Sequence, residues 1–364
     1  MVAASRRGDE IVASLEDAGY GCDIQRANFP RVEVVEKIKH WPVIDLSETV
    51  VIAHPPCAAF STQNRSRDPL IRGAGAKKFC QTVAVLEYAG RNKALAVAVE
   101  SVPGTLVGGK SAHDDFARDF GYNLYRIMLN SATCGVAQFR KRFWAIFIRK
   151  GAAKDTQPFS ITPKLKTVGD VVCNSVGREL VDIEYVAQAS IKQVRKLIEG
   201  MGEEKARAFL KKPGNVVRHA ADYIGLKGKD AKEWTERYAI GYNFTSHSMV
   251  KLDPEAQAPV LLAGSWWWYW DRPLALQEYL EVMDFPREYV FPTREQRPLN
   301  YYPERSREYL SRGVCPATAE WILSQVERAV TDGPVTGSKV MELEPGGTAD
   351  FSPLAKRSPA LWLY

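Results

Sequence analysis

The sequence is poor in the residue types that bind metals or form disulfides. Its 364 residues include six cysteines and five histidines. The cysteines form no Cys-x-x-Cys pair and no regular spacing with the histidines, which argues against a zinc site and against a disulfide framework. This pattern is typical of a reduced protein, and we predict a cytoplasmic protein without a bound metal.

Long hydrophobic runs are also missing. No apolar stretch reaches the roughly 20 residues that a membrane-spanning helix needs, and the first ten residues, MVAASRRGDE, are too short and too charged for a signal peptide. The hydrophobic and charged fractions, 45% and 25%, are those of a soluble globular protein. We predict a monomer that does not bind membranes and has one large and one smaller domain.

The charge balance is mildly basic. Lysine and arginine number 49 against 43 acidic residues, which leaves a net charge of +6. Such a charge permits a polyanionic partner, but many basic proteins bind none. The charge alone therefore leaves nucleic-acid binding open.

The first 150 residues alternate between strand-like and helix-like segments. TVVIAH (49–54) and LAVAVESV (95–102) are predicted to be buried parallel strands, with a crossover helix over FCQTVAVLEYAGRN between them. The spacing in DEIVASLEDAG (9–19) predicts a further helix that ends at Gly19. Repeated units of this kind indicate a doubly wound α/β sheet of the Rossmann type.

Composition changes along the chain suggest four regions. We predict a catalytic α/β domain over 1–174, a smaller inserted lobe over 175–300, a helical segment over 301–330 that returns to the first domain, and a flexible tail over 331–364, where Gly, Pro and Ser are frequent. The aromatic run SWWWYW within the lobe can serve as apolar packing or as a surface on which bases stack.

Two residues stand where a strand ends. Cys57 follows Pro55 and Pro56, just past the first predicted strand, and a basic, glycine-containing loop follows it. A lone cysteine is usually a small buried apolar residue, but a strand end near cations can lower a thiol pKa. Glu100 ends the apolar run LAVAV, where a carboxylate either reaches solvent or needs a partner.

Five stretches together resemble DNA cytosine-5 methyltransferases. In order they are PPCAAFS, ESVPG, GVAQFRKR, RPLALQEYLEVMDFP and GVCPATAEWI, and they extend over most of the chain between residues 8 and 330. The resemblance implies a Rossmann-like methyltransferase domain, with the inserted lobe serving as the target-recognition region. It also implies DNA as the partner and S-adenosylmethionine as the methyl donor.

The resemblance implies a role for each residue of the site. Cys57 is expected to add to carbon 6 of cytosine, which makes carbon 5 nucleophilic. Glu100 is expected to contact the cytosine edge and stabilise charge at ring nitrogen 3. Arg142, with Arg140, is expected to bind the carbonyl of the base and a phosphate. Because a stacked base is out of reach, the cytosine must be flipped out of the duplex.

Further residues are assigned less directly. The expected cofactor-binding residues are Gly8, Asp9, Asp45 and Pro56. The expected DNA-binding residues are Ser61, Arg65, Arg67, Lys77, Lys78 and Gln138.

Some positions depart from the family pattern, chiefly those that handle the cofactor. Ser5, Arg6 and Arg7 stand where the family has a glycine-rich loop, Arg312 stands in place of an asparagine, and Ser101 replaces the asparagine after the catalytic glutamate. Three functions therefore stay open at this point. They are methyl transfer from S-adenosylmethionine, the same chemistry with anionic methylenetetrahydrofolate giving 5-hydroxymethylcytosine, and base flipping without turnover.

Overall fold

The computed structural model describes residues 1–36, 41, 43–61, 64, 68–172, 202, 217–219, 241–243, 249–261, 266–269, 272–274, 276–292 and 303–355. The described residues fall into two compact units. One contains 1–165 and 313–355, and the other lies within 166–312. The sequence predicted a smaller lobe over 175–300. The second unit begins earlier, at residue 166, and ends later, at residue 312.

The elements follow one another in this order: α1 (Val2–Arg7), β1 (Ala13–Glu16), α2 (Gly19–Asn28), β2 (Glu33–Glu36), β3 (Val50–Ala53), α3 (Lys77–Arg91), β4 (Ala96–Ser101), α4 (Thr105–Gly108), α5 (Lys110–Phe120), β5 (Tyr122–Asn130), β6 (Lys141–Arg149), β7 (Gln157–Ile161), α6 (Val168–Val172), β8 (Val217–His219), β9 (Gly241–Asn243), β10 (Met249–Lys251), β11 (Trp266–Tyr269), β12 (Arg272–Pro273), α7 (Leu276–Val282), α8 (Pro303–Arg312), α9 (Pro316–Thr331), β13 (Lys339–Leu343) and β14 (Thr348–Asp350).

A five-stranded mixed sheet organises the first unit. Its strand order is β14-β5-β6-β4-β3. The pairs β3–β4 and β14–β5 are parallel, whereas β6 runs antiparallel to both of its neighbours. The parallel strands β1 and β2 form a separate two-stranded sheet. This is the mixed α/β, Rossmann-like fold that the sequence predicts.

Helices cover both faces of the large sheet. One face packs against α9 through Ile322, Val326 and Ala329. The other face packs against α3 and α5, where Leu86 and Phe116 are buried. Every residue of β4 is buried, as expected of a strand covered on both sides. The long apolar runs of β4 and β6 therefore place these two strands at the centre of the unit.

The segment 9–19 differs from the prediction. We expected a helix ending at Gly19, but the chain forms β1 over Ala13–Glu16, and Gly19 begins α2. The apolar spacing of so short a segment suits either structure. Pairing of β1 with β2 decides between them, since backbone groups of the strand bond across the ladder.

Within the predicted flexible tail, 331–364, the described residues up to 355 differ from the prediction. β13 pairs with β7, and β14 adds a parallel strand to β5 at one edge of the sheet. Arg126 donates a hydrogen bond to the carbonyl of Gly346 at 2.7 Å, and Phe351 is fully buried against the Trp321 ring. A few buried apolar anchors and backbone pairs outweigh the Gly- and Pro-rich composition on which the prediction relied.

The described part of the second unit includes the aromatic run. Trp266–Tyr269 forms β11 between β10 and β12. Trp267 is fully buried, stacks on Tyr279 with ring centroids 5.2 Å apart, and donates its backbone N–H to the Tyr279 hydroxyl at 2.7 Å. For Trp267 the packing interpretation is therefore correct, while Ser265 and Trp270 lie outside the described residues.

Among the residues that the structure describes, no helix has the length and hydrophobicity to span a membrane.

Candidate active site

Three strand ends meet at one edge of the large sheet. Cys57 follows β3, Glu100 lies near the end of β4, and Arg142 lies near the start of β6. β3 and β4 are parallel, so their carboxyl ends share an edge, and the antiparallel β6 begins at that same edge. The sheet topology therefore brings together the predicted nucleophile, the predicted carboxylate and a predicted arginine.

The loop that carries Cys57 is tightly constrained. Pro55 is buried, and a short 3-10 turn over Ala58–Phe60 follows the cysteine. A Cβ atom at Gly104 would lie 2.5 Å from the backbone oxygen of Phe60, so only glycine lets the loop after β4 approach this turn so closely. The Cys57 loop is thereby packed directly against the chain that follows Glu100.

Glu100 is a buried carboxylate between two cationic side chains. Only 1% of its surface is exposed. Its Oε1 lies 3.0 Å from Nε of Arg142, and its Oε2 lies 3.0 Å from Nε2 of His54. Burial opposes ionisation, but the charges of His54, Arg142 and Arg140 hold the pKa of Glu100 below its usual value. Of the two alternatives expected from the sequence, Glu100 therefore has partners and does not reach solvent.

His54 is a member of the site that the sequence analysis missed. It lies between the end of β3 and the Pro-Pro-Cys sequence, where its ring pairs with Glu100 and interacts with the Cys57 thiol. Burial alone would lower the pKa of His54, but the charge of Glu100 and the contact with Cys57 raise it to about 9. The signal was available, since the histidine directly follows an apolar strand and lies three residues before the cysteine.

The same contacts change the pKa of Cys57, the predicted nucleophile. Burial would raise the pKa of the Cys57 thiol, but the hydrogen bond and charge of His54, together with Arg142, lower it overall, against an opposing contribution from Glu100. A thiol with a lowered pKa is more fully ionised at neutral pH and is therefore a better nucleophile.

Arg140 lies deeper than predicted. It is 1% exposed, and burial together with the charge of Arg142 lowers its pKa to about 10. Its backbone N–H donates to the side-chain oxygen of Asn130 at 3.0 Å. Arg140 is therefore part of the floor of the site, whereas Arg142 is the more accessible of the two.

The predicted DNA-binding residues are not gathered at one place. Lys77 and Lys78 are exposed at the start of α3, and Ser61 is partly buried after the turn that follows Cys57. Gln138 is fully buried, and its side-chain oxygen accepts a weak hydrogen bond from the Cys315 thiol at 3.7 Å. Its position suits a structural role at the start of α9 better than a DNA contact. Arg65 and Arg67 lie outside the described residues.

The predicted cofactor-binding residues have other local explanations. Gly8 ends α1 with φ +77°, and an added Cβ would meet nothing within 4 Å. Asp9 pairs with Arg7 at 2.8 Å. Asp45 is exposed and accepts the backbone N–H of Ser47 at 2.9 Å. Pro56 is exposed beside Cys57.

The arginines at the positions that depart from the family pattern form ion pairs with carboxylates of this chain. Arg6 pairs with Glu320 at 3.2 Å, and Arg7 pairs with Asp9 and with Glu327, the latter at 2.7 Å. Both contacts to glutamates are made to α9. In the second unit, Arg312 pairs with Glu308 one turn earlier in α8.

Glu16 is a second residue that the sequence analysis missed. It ends β1, where its carboxylate accepts the backbone N–H of Ala18 at 3.0 Å and the amide of Gln25 at 3.2 Å. Burial raises the pKa of Glu16, while the charge of His54 acts in the opposite direction. The carboxylate of Glu16 and the ring of His54 therefore interact electrostatically. The signal was hidden because the segment was assigned to a helix.

No group of three or more His, Cys, Asp or Glu side chains within the described ranges could hold a metal ion.

The fold agrees with comparisons to known proteins. The chain is similar in structure to a prophage-encoded DNA modification methyltransferase of E. coli (TM-score 0.56, 16% identity, 91% of this chain and 95% of that one). It is also similar to a variant of Spodoptera frugiperda DNMT2 (0.50, 14%, 90% and 95%) and to the Entamoeba histolytica methyltransferase EhMeth (0.51, 10%, 86% and 88%). At these identities the neighbours establish the fold. No curated protein sequence matches the chain.

The model of the C-5 cytosine-specific DNA methylases matches residues 2–328. This match covers most of the chain, including the Cys57 loop, Glu100, Arg142 and most of α9. The chain therefore belongs to the C-5 cytosine-specific DNA methylase family and is a DNA methyltransferase.

Proposed function

We propose that this enzyme transfers a methyl group from S-adenosylmethionine to carbon 5 of a cytosine flipped out of DNA, through a covalent adduct with Cys57. One observation carries the proposal. The thiol of Cys57 and the buried carboxylate of Glu100 share a site in which His54 contacts both, with the Arg142 guanidinium against the carboxylate.

Cys57 supplies the nucleophile. Carbon 5 of cytosine is too weak a nucleophile to attack a one-carbon electrophile by itself. Addition of the thiolate to carbon 6 forms an S–C bond and moves the ring electrons towards carbon 5 and nitrogen 3, which replaces one difficult step with easier ones. The lowered pKa of Cys57 increases the ionised fraction of the thiol, and the ionised form is the one that this addition requires.

Glu100 and Arg142 receive the base. Glu100 contacts the cytosine edge, where its carboxylate accepts the hydrogen bond of a proton held at ring nitrogen 3, and that proton neutralises the charge that arises there. Arg142 binds the carbonyl oxygen beside it. Their 3.0 Å ion pair holds both groups in place before substrate arrives. Arg140 supports them from below, since it is buried and contributes to the low pKa of Glu100.

The site admits only an extrahelical base. Glu100 is almost completely buried, and Cys57 lies on a loop that is packed against the chain following Glu100. Neither group can reach the ring atoms of a cytosine stacked within a duplex, so the base must leave the stack to react.

Glu16 is the described residue that best fits the donor. A carboxylate at the end of a parallel strand is suited to accept hydrogen bonds from the two ribose hydroxyls, as acidic residues do in nucleotide-binding folds. S-adenosylmethionine supplies an electrophilic methyl group. Glu16, rather than Gly8 or Asp9, is therefore proposed to orient the donor, and Pro56 lies beside the nucleophile that the methyl group must approach.

The contacts of three arginines argue against methylenetetrahydrofolate, the anionic donor considered above. The case for this donor rested on Arg6, Arg7 and Arg312, whose guanidinium groups pair with carboxylates of this chain. Calorimetric titration with S-adenosylmethionine and, separately, with methylenetetrahydrofolate tests the donor, followed by mass spectrometry of the nucleosides in treated DNA. We expect binding of S-adenosylmethionine and 5-methylcytosine as product. Binding of the folate alone, with 5-hydroxymethylcytosine formed, would contradict the proposal.

Glu16→Gln should weaken binding of S-adenosylmethionine by about ten- to a hundredfold, because a hydrogen bond to a charged acceptor contributes about 1.5–3 kcal/mol. Glu10→Gln serves as the matched control, since Glu10 is exposed outside β1 and should leave the affinity unchanged. Equal affinities of wild type and Glu16→Gln in the titration would remove Glu16 from the donor site.

The basic segment after Cys57 is proposed to contact DNA phosphates. Changing Arg65, Arg67, Lys77 and Lys78 together to glutamine should weaken DNA binding and flatten its salt dependence. The slope of log K against log salt should fall by about 0.9 for each lost phosphate contact. Fluorescence anisotropy over a salt series measures both quantities. Lys150→Gln is the control, because Lys150 follows the far end of β6, about 30 Å along the strand from its start. An unchanged slope would place the DNA path elsewhere.

A further inference from the structure

The position of the His54 ring is set by Cys57 on one side and Glu100 on the other. The ring lies between the Cys57 thiol and the Glu100 carboxylate, with Nε2 3.0 Å from Oε2 of Glu100. The two prolines that follow restrict the backbone between the histidine and the cysteine, so the ring and the thiol are held together by the chain itself.

We propose that His54 is a catalytic residue that holds the proton of Cys57, so that the free enzyme carries a thiolate–imidazolium pair before DNA binds. The inference rests on the proposed function for its role in turnover. The pair itself is a property of the protein alone and can be tested without DNA or donor.

Charges from every neighbouring element bear on this pair. Glu100 on β4 and Glu16 on β1 favour the imidazolium, while Arg142 and Arg140 at the start of β6 favour the thiolate. Burial disfavours both ions, but their mutual attraction and the ion pair with Glu100 prevail. The pKa of His54 is raised to about 9 and that of Cys57 is lowered.

These shifts define a pH window. Because the pKa of His54 is raised, the imidazolium persists through neutral pH and is lost as the pH rises through about 9. Because the pKa of Cys57 is lowered, the thiolate persists to a lower pH than an ordinary thiolate does and is lost when the pH falls through that lowered value. The thiolate–imidazolium pair exists between these two limits.

The pair removes one proton transfer from the reaction. Sulfur attacks carbon 6 with its own lone pair, the S–C bond forms, and the carbon 5–carbon 6 π electrons move into the ring. No proton has to leave the sulfur at that moment, because His54 already holds it. At the end of the cycle the proton on carbon 5 leaves to water, and the electrons of its C–H bond re-form the carbon 5–carbon 6 double bond. The S–C bond then breaks with its electron pair on sulfur, which restores the thiolate–imidazolium pair.

Alkylation of the free protein by iodoacetamide over pH 5 to 10 tests the pair, with Cys57 followed by peptide mass spectrometry. In the wild type we expect the rate to rise with pH at a midpoint below that of an ordinary thiol. In His54→Gln the rate at pH 7 should fall about tenfold and recover as the pH passes 8.5, the usual pKa of a thiol. Cys80 is an internal control, because it is exposed on α3 and should react equally in both proteins.

A second histidine supplies the matched variant. His113 on α5 is also buried, but its ring packs among Phe79, Phe143 and Phe147. His113→Gln should leave the pH profile of Cys57 unchanged, provided that a thermal melt shows a folded protein. If His54→Gln fails to fold, the wild-type profile alone decides, since an ordinary thiol pKa for Cys57 overturns the proposal.

Identical Cys57 profiles in wild type and His54→Gln would also overturn it. The result is independent of the proposed function. A protein with a shifted Cys57 profile that forms no 5-methylcytosine would retain the pair and refute the methyl transfer, whereas methylation with an ordinary thiol profile would do the reverse.

Discussion

Cys57→Ser should lower the rate of cytosine modification by at least about 10,000-fold, the scale seen when an activated nucleophile is removed. A serine hydroxyl at neutral pH is not ionised, and the contacts that lower the pKa of the Cys57 thiol cannot ionise it to a useful extent. DNA that contains 5-fluorocytosine provides the measurement. The wild type should be trapped as a covalent complex that survives denaturing electrophoresis, and the variant should not.

DNA affinity separates this effect from misfolding. Serine is close to cysteine in size, so Cys57→Ser should bind DNA with nearly wild-type affinity. Cys80→Ser changes an exposed cysteine on α3 and should retain full activity and full trapping. A Cys57→Ser protein with wild-type product formation would refute the covalent mechanism as a whole.

Glu100→Gln should slow the reaction by at least about a hundredfold, within the range usual for the loss of an acid–base group. The glutamine keeps the shape of the side chain but removes the charge that pairs with Arg142 and His54. The substitution should therefore change the charge state of its protein neighbours as well as the contact with the cytosine. With Glu100 neutral, the pKa of His54 should fall, because the largest influence that raises it is lost.

Single-turnover kinetics with saturating donor measures the Glu100→Gln effect on chemistry, and DNA binding is measured in parallel. Glu87→Gln is the matched control. Glu87 is exposed on α3, where it pairs with Arg91 at 2.9 Å, and its loss should leave turnover unchanged. A wild-type single-turnover rate in Glu100→Gln would show that the buried carboxylate serves only the packing of the site.

The strongest local patterns were sufficient to predict the centre of the fold. β3 and β4 are apolar runs bounded by turns, and α3 has clear helical spacing, so each was predicted from its own residues. Cys57 and Glu100 followed from these predictions, because a polar residue directly after a buried strand lies at the sheet edge where α/β proteins place their sites.

Predictions failed where a short segment had two possible structures. β1 has four residues, and its apolar spacing suits either a strand or a helix, so only pairing with β2 decides it. β13 and β14 lie in a segment whose Gly and Pro content suggested flexibility, yet Phe351 and the Arg126–Gly346 contact attach that segment to the sheet. In both cases contacts between residues distant in sequence outweigh local preference.

The sequence alone was enough to predict the α/β architecture and the family resemblance, and to select Cys57 and Glu100 as the candidate nucleophile and carboxylate, because each depends on patterns of neighbouring residues. Only the tertiary structure decided how these groups are charged. His54 acquires its importance from a carboxylate 46 positions later in the chain, and Arg6 and Arg7 lose theirs to glutamates on α9. Electrostatic interactions act over a few ångströms in space, and only folding brings those partners together.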